Sequence, residues 1–214
     1  MTSMRFLRRN RELFFVPLIL ISILYLDKSV LLWVKHFYAG NQEALRLDHA
    51  IRLPLKYLSH GVTLFAFSAG LYLFCGSFNR TLSDAGKSLL IGLLSSGVAV
   101  QILKHLLGRA RPSVIFGTVF IGPSVKYGYD SFPSGHTTMA FCFAFILSDY
   151  FPRYRSAFYL FAVIVGLYRI DGLSHFPSDV MAGALLGIIV GKIASMKSSR
   201  QKCSVTEPAQ SGSL

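Results

Sequence analysis

Six apolar segments divide the sequence, and they constrain its fold more than any other feature. The first begins near Leu13 and runs at least to Leu26, but Asp27 and Lys28 then precede a further apolar stretch, so its end is ambiguous. The other five cover 58–78, 88–106, 137–151, 157–168 and 180–195. About 20 apolar residues span a bilayer as a helix. We therefore predict an all-α membrane helix bundle with about six transmembrane helices.

The composition agrees with a membrane protein and narrows the choice of partners. Charged residues make up 15% of the chain, against about 25% in an average soluble domain. The formal net charge is nevertheless +12, which suits anionic lipid, a phosphate site or nucleic acid. The cations are scattered between apolar runs, so we expect no nucleic-acid partner. The three cysteines are an odd number in apolar or tail settings, which argues against a disulfide framework and a zinc site.

The distribution of cations predicts the orientation in the membrane. Four arginines precede the first span at positions 5, 8, 9 and 11, and Lys and Arg favour the cytoplasmic side. Six spans then return the C-terminus to that side. We accordingly divide the chain into a basic cytoplasmic N-terminus (1–12), a six-span domain (13–196) and a polar, disordered cytoplasmic tail (197–214).

Two further patterns concern packing. In residues 41–56 leucines alternate with charged residues. This pattern predicts an amphipathic segment that lies on the surface of the membrane, on its outer, non-cytoplasmic side. The last span carries glycine at every fourth position, at Gly183, Gly187 and Gly191. That spacing predicts a close approach to a neighbouring helix.

Three polar stretches lie on the predicted outer side, and the first is KHLLGRARP (104–112). Lys104 and Arg111 are seven residues apart, about two helical turns, so a helix would place both on one face. Two such cations bind an anion, or else extend to lipid head groups. Arg109 lies off this pattern, and we expect it to contact head groups.

The second stretch is PSGH (133–136), directly before a span, and it is typical of a helix start. Ser134 can cap the helix, and the glycine backbone at 135 lets a ligand approach closely. The unpaired N–H groups of a helix start bind phosphate well. His136 then lies at the edge of such a site, although an ordinary cap with a structural histidine has the same sequence.

The third stretch, RIDGLSHFPSD (169–179), places His175 four residues before Asp179. A carboxylate bonded to one imidazole nitrogen fixes the tautomer and raises the basicity of the other nitrogen, as a histidine nucleophile requires. An interfacial His–Asp pair without chemistry is the alternative. Asp130 precedes PSGH and is expected to contact a head group or nothing, and His60 to fill an interfacial position.

The three stretches together supply cations, two histidines, an orienting acid and backbone N–H groups, as phosphoryl transfer through a phosphohistidine needs. In order and spacing they resemble the signature of the type-2 phosphatidic acid phosphatase superfamily: K-x6-R-P, P-S-G-H and S-R-x5-H-x3-D. The matching positions are Lys104, Arg111 and Pro112, then residues 133–136, then Arg169, His175 and Asp179. Tyr168 departs from the pattern, which usually has serine there.

The resemblance implies a role for each matching residue. His175 attacks the phosphorus, Asp179 orients His175, and His136 serves first as the acid and then as the base. The substrate phosphate is bound by Lys104, Arg111, Ser134, Gly135 and Arg169. Fixed cations stabilise the charge in this scheme, so it implies no metal and no cofactor.

The apolar spans select the integral-membrane lipid phosphatase branch of that superfamily, in its bacterial form. The resemblance implies a phosphorylated membrane lipid as the substrate: phosphatidylglycerophosphate, phosphatidic acid, undecaprenyl pyrophosphate or a lipid A phosphate. Its chains would enter between helices, and the active site would face the periplasm from the inner membrane. A lipid-to-lipid phosphotransferase and a non-catalytic lipid-binding or transport protein are the alternatives, and the oligomeric state stays open.

Overall fold

The computed structural model describes residues 15–206, apart from the side chains of residues 42, 45, 48, 49 and 197–206. This part of the chain is all-α, as predicted, with one isolated β-bridge between Arg109 and Phe120. Its helices are α1 (Phe15–Ala39), α2 (Gln42–Leu58), α3 (Gly61–Cys75), α4 (Arg80–Leu107), α5 (Gly135–Tyr150), α6 (Arg155–Asp171) and α7 (Pro177–Thr206).

Three of these helices are long and apolar enough to cross a membrane: α1, α4 and α7 over Pro177–Met196. The end of α2 and the whole of α3 form a fourth candidate, bent by 49°. Helices α5 and α6 have only 16 and 17 residues. The six spans and the cytoplasmic termini therefore stay predictions.

Both predicted ends of the chain extend beyond what the structure describes. Helix α7 continues to Thr206, past the predicted end of the last span at Ser195. The rest of the predicted tail (207–214) and the basic N-terminus (1–12) lie outside the described residues.

Helix α1 does not end at Asp27, where the sequence left its end ambiguous. A π-helical turn, Ser22–Leu26, lets the Asp27 N–H donate to the Ser22 carbonyl, while the Ser22 hydroxyl donates to the Asp27 carboxylate at 3.0 Å. The helix then continues to Ala39. Charges inside an apolar helix are costly unless they are paired, and the Asp27 carboxylate is paired with Arg109.

The predicted amphipathic segment is helix α2, which starts where the Asn41 side chain accepts the Ala44 N–H at 3.1 Å. Its apolar side chains Leu47 and Ile51 are exposed. Arg52 instead forms an ion pair with Asp171 of α6 at 3.1 Å. The helix is thus confirmed, and its position on the membrane surface stays a prediction.

The glycines of α7 pack directly against α5, as their spacing predicts. A Cβ atom added at Gly187 would lie 2.3 Å from the Thr138 carbonyl oxygen, and one at Gly183 would lie 2.7 Å from the Ser134 carbonyl oxygen. At Gly191 it would lie 3.0 Å from the Phe145 Cβ. This contact fixes the start of α5 beside the start of α7.

The loop from α4 to α5 brings the remaining polar residues to the same end of the bundle. Helix α4 ends at Leu107, and the next residue, Gly108, has a left-handed φ of 56°, a conformation that favours glycine. The Ser131 N–H then donates to the Arg109 carbonyl at 3.0 Å, and the Arg111 N–H donates to the Gly128 carbonyl at 2.8 Å. These bonds fold the loop back over the ends of the helices.

The tight contact between α5 and α7 generates a stability prediction. Gly187→Ala should destabilise the protein by about 1–3 kcal/mol, because the methyl group meets a backbone carbonyl that cannot move freely. Thermal unfolding in detergent should show a lower Tm. Gly70→Ala is the matched control, since a Cβ there has nothing within 4 Å. Equal Tm values for the two variants would contradict the proposed packing.

Candidate active site

A cavity of about 1000 Å³ opens between α3 and α4, at the end of the bundle where the three polar stretches meet. Six of the predicted site residues line it: Lys104, Arg111, Gly135, His136, Arg169 and His175. Most of the remaining lining residues are apolar and belong to α3 and α4. The cavity therefore has one polar end and long apolar walls.

Lys104 and Arg111 reach the cavity from different elements. The predicted shared helical face does not form, because α4 ends at Leu107 and Arg111 lies in the following loop. The carboxylate of Asp130 nevertheless joins the two cations. It accepts from Arg111 Nε at 2.8 Å and from Nη2 at 2.6 Å, and it lies 3.6 Å from Lys104 Nζ.

Asp130 is thus an ion-pair partner at the site, and the expectation of a head-group contact or none is corrected. Burial raises the pKa of the Asp130 carboxyl, but the hydrogen bond and charge of Arg111, with the charge of Lys104, outweigh burial and lower the pKa to about 2. Asp130 is therefore ionised at neutral pH. Its position in an irregular loop gave no sequence signal for this role.

Helix α5 begins at Gly135 with Ser134 as its N-cap residue, as predicted. The Ser134 side chain makes no cap hydrogen bond. It is buried, lies outside the cavity lining and accepts a hydrogen bond from Thr137 Oγ1 at 2.9 Å. Gly135 lines the cavity, so the first turn of α5 faces the cavity through its backbone.

His136 lies on the cavity wall, and its Nε2 is buried without a hydrogen-bond partner among the described residues. The ring of His60 lies edge-on to that of His136, with ring centroids 6.0 Å apart. His60 caps α3 by accepting the Val62 N–H at 3.4 Å and also lines the cavity. The structure thus adds a helix cap and a cavity contact to the interfacial position expected of His60, which stays a prediction.

His175 lies in the short loop between α6 and α7, and only 1% of its surface is exposed. Its Nδ1 lies 3.5 Å from Asp179 Oδ2 and 3.5 Å from the Ser131 hydroxyl. Burial lowers the pKa of His175 to about 4, against the raising effect of Asp179 and with a further lowering by Arg169 and Lys104. The imidazole is therefore neutral at pH 7 and keeps a lone pair.

Arg109 does not contact head groups as expected, because it is fully buried behind the site. Its Nη1 donates to Asp179 Oδ1 and to the Ser178 hydroxyl, and its Nη2 donates to Asp27 Oδ2 at 2.5 Å. The guanidinium also lies 4.3 Å from the ring centroid of Phe176. Spacing within the motif could not reveal this role, since Asp27 is distant in sequence.

Arg169 completes the polar end of the cavity from the last turn of α6. Its Nη1 donates to the Tyr168 hydroxyl at 3.1 Å. The Arg169 carbonyl accepts the His175 N–H at 3.2 Å. Tyr168, where the family pattern usually has serine, thus contacts one of the three cations.

Comparison with known proteins assigns the family of this arrangement. The model of the PAP2 superfamily matches residues 85–202, which include all the motif residues above. A lipid A 1-phosphatase from Rhizobium johnstonii is 38% identical over 105 residues, 48% of this chain and 43% of that protein. The chain thus aligns with less than half the length of this relative.

Two solved structures are also similar. The crystal structure of Aquifex aeolicus LpxE is 30% identical, with a TM-score of 0.52, over 69% of this chain and 84% of that one. A PAP2-type phosphatidylglycerolphosphate phosphatase from Bacillus subtilis, described as transmembrane, is 22% identical with a TM-score of 0.65, over 88% and 94%. These relatives and the apolar helices together identify an integral membrane protein.

Proposed function

The chain belongs to the PAP2 superfamily, and from this premise we propose that it hydrolyses a phosphate from a membrane lipid through a phosphohistidine. One observation carries the proposal. His175 and His136 line the polar end of a single cavity beside three cations, while its remaining walls are mostly apolar. That arrangement suits a phosphate attached to an apolar body.

The first chemical step is transfer of the phosphoryl group to His175. Its Nε2 lone pair attacks the phosphorus, a nitrogen–phosphorus bond forms, and the bond to the lipid oxygen breaks. His136 donates a proton to that oxygen as it leaves. Asp179, on the Nδ1 side of His175, stabilises the positive charge that the imidazole gains.

The second step releases inorganic phosphate. His136, now neutral, takes a proton from a water molecule whose oxygen attacks the phosphorus, and the nitrogen–phosphorus bond breaks. Both histidines return to their starting states. One residue serves as acid and then as base because an imidazole can hold or release a proton near neutral pH.

The cations supply the charge stabilisation. Lys104, Arg111 and Arg169 line the cavity together, and phosphate oxygens bind well to the planar fork of arginine. Asp130 accepts hydrogen bonds from Nε and Nη2 of Arg111. Nη1 takes no part in that ion pair and is the atom we expect to bind the phosphate. The N-terminus of α5 adds backbone N–H groups suited to an anion.

The apolar walls favour a lipid as the substrate. Phe65 of α3 and Leu94, Val98 and Ile102 of α4 line the cavity, and each of these side chains is strongly exposed. Acyl chains could enter from the bilayer between these helices. Because relatives are named lipid A 1-phosphatase and phosphatidylglycerolphosphate phosphatase, these two lipid phosphates are the leading substrates.

We place the protein in the inner membrane of a bacterium with the site facing the periplasm. The arginines before α1 support this orientation, since cytoplasmic segments are rich in Lys and Arg. Under that topology α4 and α6 run outward, so Lys104 in the last turn of α4 and Arg169 in the last turn of α6 lie toward the periplasmic side.

Phosphate release from a lipid panel tests the function. Purified protein in detergent should release inorganic phosphate from at least one of phosphatidylglycerophosphate, phosphatidic acid, undecaprenyl pyrophosphate and lipid A. His175→Ala should lower kcat by roughly 10⁴-fold or more, because it removes the nucleophile. A phosphotransferase would instead pass the phosphate to an added lipid acceptor and release little inorganic phosphate, and a binding protein would neither release nor transfer it.

Chelation tests the absence of a metal requirement. Activity should persist in excess EDTA, because the three cations already neutralise the phosphoryl oxygens. Within the part of the chain described, no group of three or more His, Cys, Asp or Glu side chains is placed to hold a metal ion. Loss of activity in EDTA that Mg²⁺ restores would overturn this part of the proposal.

Cysteine labelling tests the orientation. Tyr127 in the loop before α5 and Phe78 after α3 are 96% and 93% exposed, and the predicted topology places them on opposite sides. With Cys75 and Cys203 replaced by serine, a membrane-impermeant maleimide should label Tyr127→Cys in intact spheroplasts. Phe78→Cys, the matched control, should react only after lysis. The reverse pattern would place the site in the cytoplasm.

A further inference from the structure

Behind the proposed nucleophile, Asp179 is joined to two buried ionic groups, Arg109 and Asp27, that are not among the matched positions of the three motifs. We propose that Arg109, held in place by Asp27 of α1, is a positioning residue that orients Asp179 toward His175. The inference rests on the proposed function, because it assumes that His175 is the nucleophile. It adds two residues from outside the motif pattern to the catalytic arrangement.

The two oxygens of Asp179 have separate partners. Oδ1 accepts from Arg109 Nη1. Oδ2 accepts from the Ser131 hydroxyl at 2.6 Å and from the Phe176 N–H at 2.8 Å, and it lies 3.5 Å from His175 Nδ1. Rotation of the carboxylate out of its plane would break the bond to Arg109, so Arg109 and the two donors to Oδ2 together fix the plane in which Asp179 faces the imidazole.

Arg109 is itself immobilised on several sides. Besides Asp179, its guanidinium donates to the Ser178 hydroxyl at 2.6 Å and to Asp27 Oδ2 at 2.5 Å, and it packs on the ring of Phe176. Neither Arg109 nor Asp179 has exposed surface. In such a setting an unpaired charge is strongly destabilising, so the two ion pairs depend on each other.

Asp27 anchors the other end of this chain and is 1% exposed. Its Oδ1 accepts from the Ser22 hydroxyl at 3.0 Å and from the Ser178 N–H at 3.0 Å, while its Oδ2 also accepts from the Ser178 hydroxyl at 2.6 Å. The π-helical turn before Asp27 brings Ser22 alongside the carboxylate. Helix α1, outside the region matched by the family model, thereby supports Asp179 and, through it, His175.

Asp27→Asn is the mildest test, because it keeps the shape and removes the charge that balances Arg109. We expect kcat to fall by roughly 10-fold, because a residue that orients a reacting group loses one of its own hydrogen-bond partners. KM should change by less than about 3-fold, because Lys104, Arg111 and Arg169 are untouched. Unchanged kcat would mean that Asp27 has no positioning role.

The double variant Asp27→Asn/Arg109→Met separates positioning from folding. Arg109→Met alone leaves two buried carboxylates without a counterion, and it should lower Tm strongly or prevent folding. Removing the Asp27 charge as well should restore much of the Tm. Because Asp179 Oδ1 has still lost its donor, kcat should stay roughly 10–100-fold below that of the wild type.

Each outcome of this comparison is decisive. A folded double variant with the kcat of the wild type would overturn the proposal and leave Arg109 with a structural role only. Arg52→Met, which breaks an α2–α6 ion pair that does not include Asp179, Arg109 or Asp27, is the control and should lower Tm without lowering kcat. The assay uses the lipid that the wild type hydrolyses, so wild-type inactivity on every lipid would count against the proposed function itself.

Discussion

The carboxylate of Asp179 is the interaction on which the site depends, because it joins parts of the chain that are far apart in sequence. Its side chain receives hydrogen bonds from Arg109, from Ser131 and from the N–H of Phe176 in the loop before α7. Its carbonyl accepts the Ser134 N–H at 3.0 Å, at the start of α5. The loop before α5, the loop before α7 and α1 through Arg109 are therefore held in one arrangement, and His175 takes its position from it.

The second constraint is the balance of charge at the polar end of the cavity. Three cations line this end, namely Lys104, Arg111 and Arg169, and Asp130 forms ion pairs with the first two. On the proposed function a phosphate dianion supplies the missing negative charge. Its arrival would also favour a proton on His136, which otherwise lies near these cations with a buried, unpartnered Nε2. Substrate binding and the acid role of His136 would then be linked by electrostatics.

Much of the fold and part of the site could be predicted from the sequence, because both depend on local patterns. The apolar runs predicted the helices, and the PSGH stretch predicted where α5 starts. The glycine spacing predicted the close contact between α5 and α7. The partners of Arg109 and Asp130 could not be found this way. An ion pair between Asp27 and Arg109 depends on how α1 docks against a loop about 80 residues later, and no periodicity encodes that contact. The expected cap bond of Ser134 does not form, because its hydroxyl oxygen accepts a hydrogen bond from Thr137 Oγ1 instead of from a backbone N–H.

The shortness of α5 and α6 bears on how a lipid phosphate could reach the site. At 1.5 Å per residue their 16 and 17 residues extend about 24 and 26 Å, less than the roughly 30 Å of a hydrocarbon core. If both helices span the membrane as predicted, the ends that carry His136 and Arg169 lie below the level of the head groups rather than above it. A lipid that remains in its leaflet could then place its phosphate between the histidines while its chains lie against α3 and α4. The ion pairs of Arg109 with Asp27 and Asp179 lower the cost of holding those three charges at that depth, since unpaired charges there would be costly.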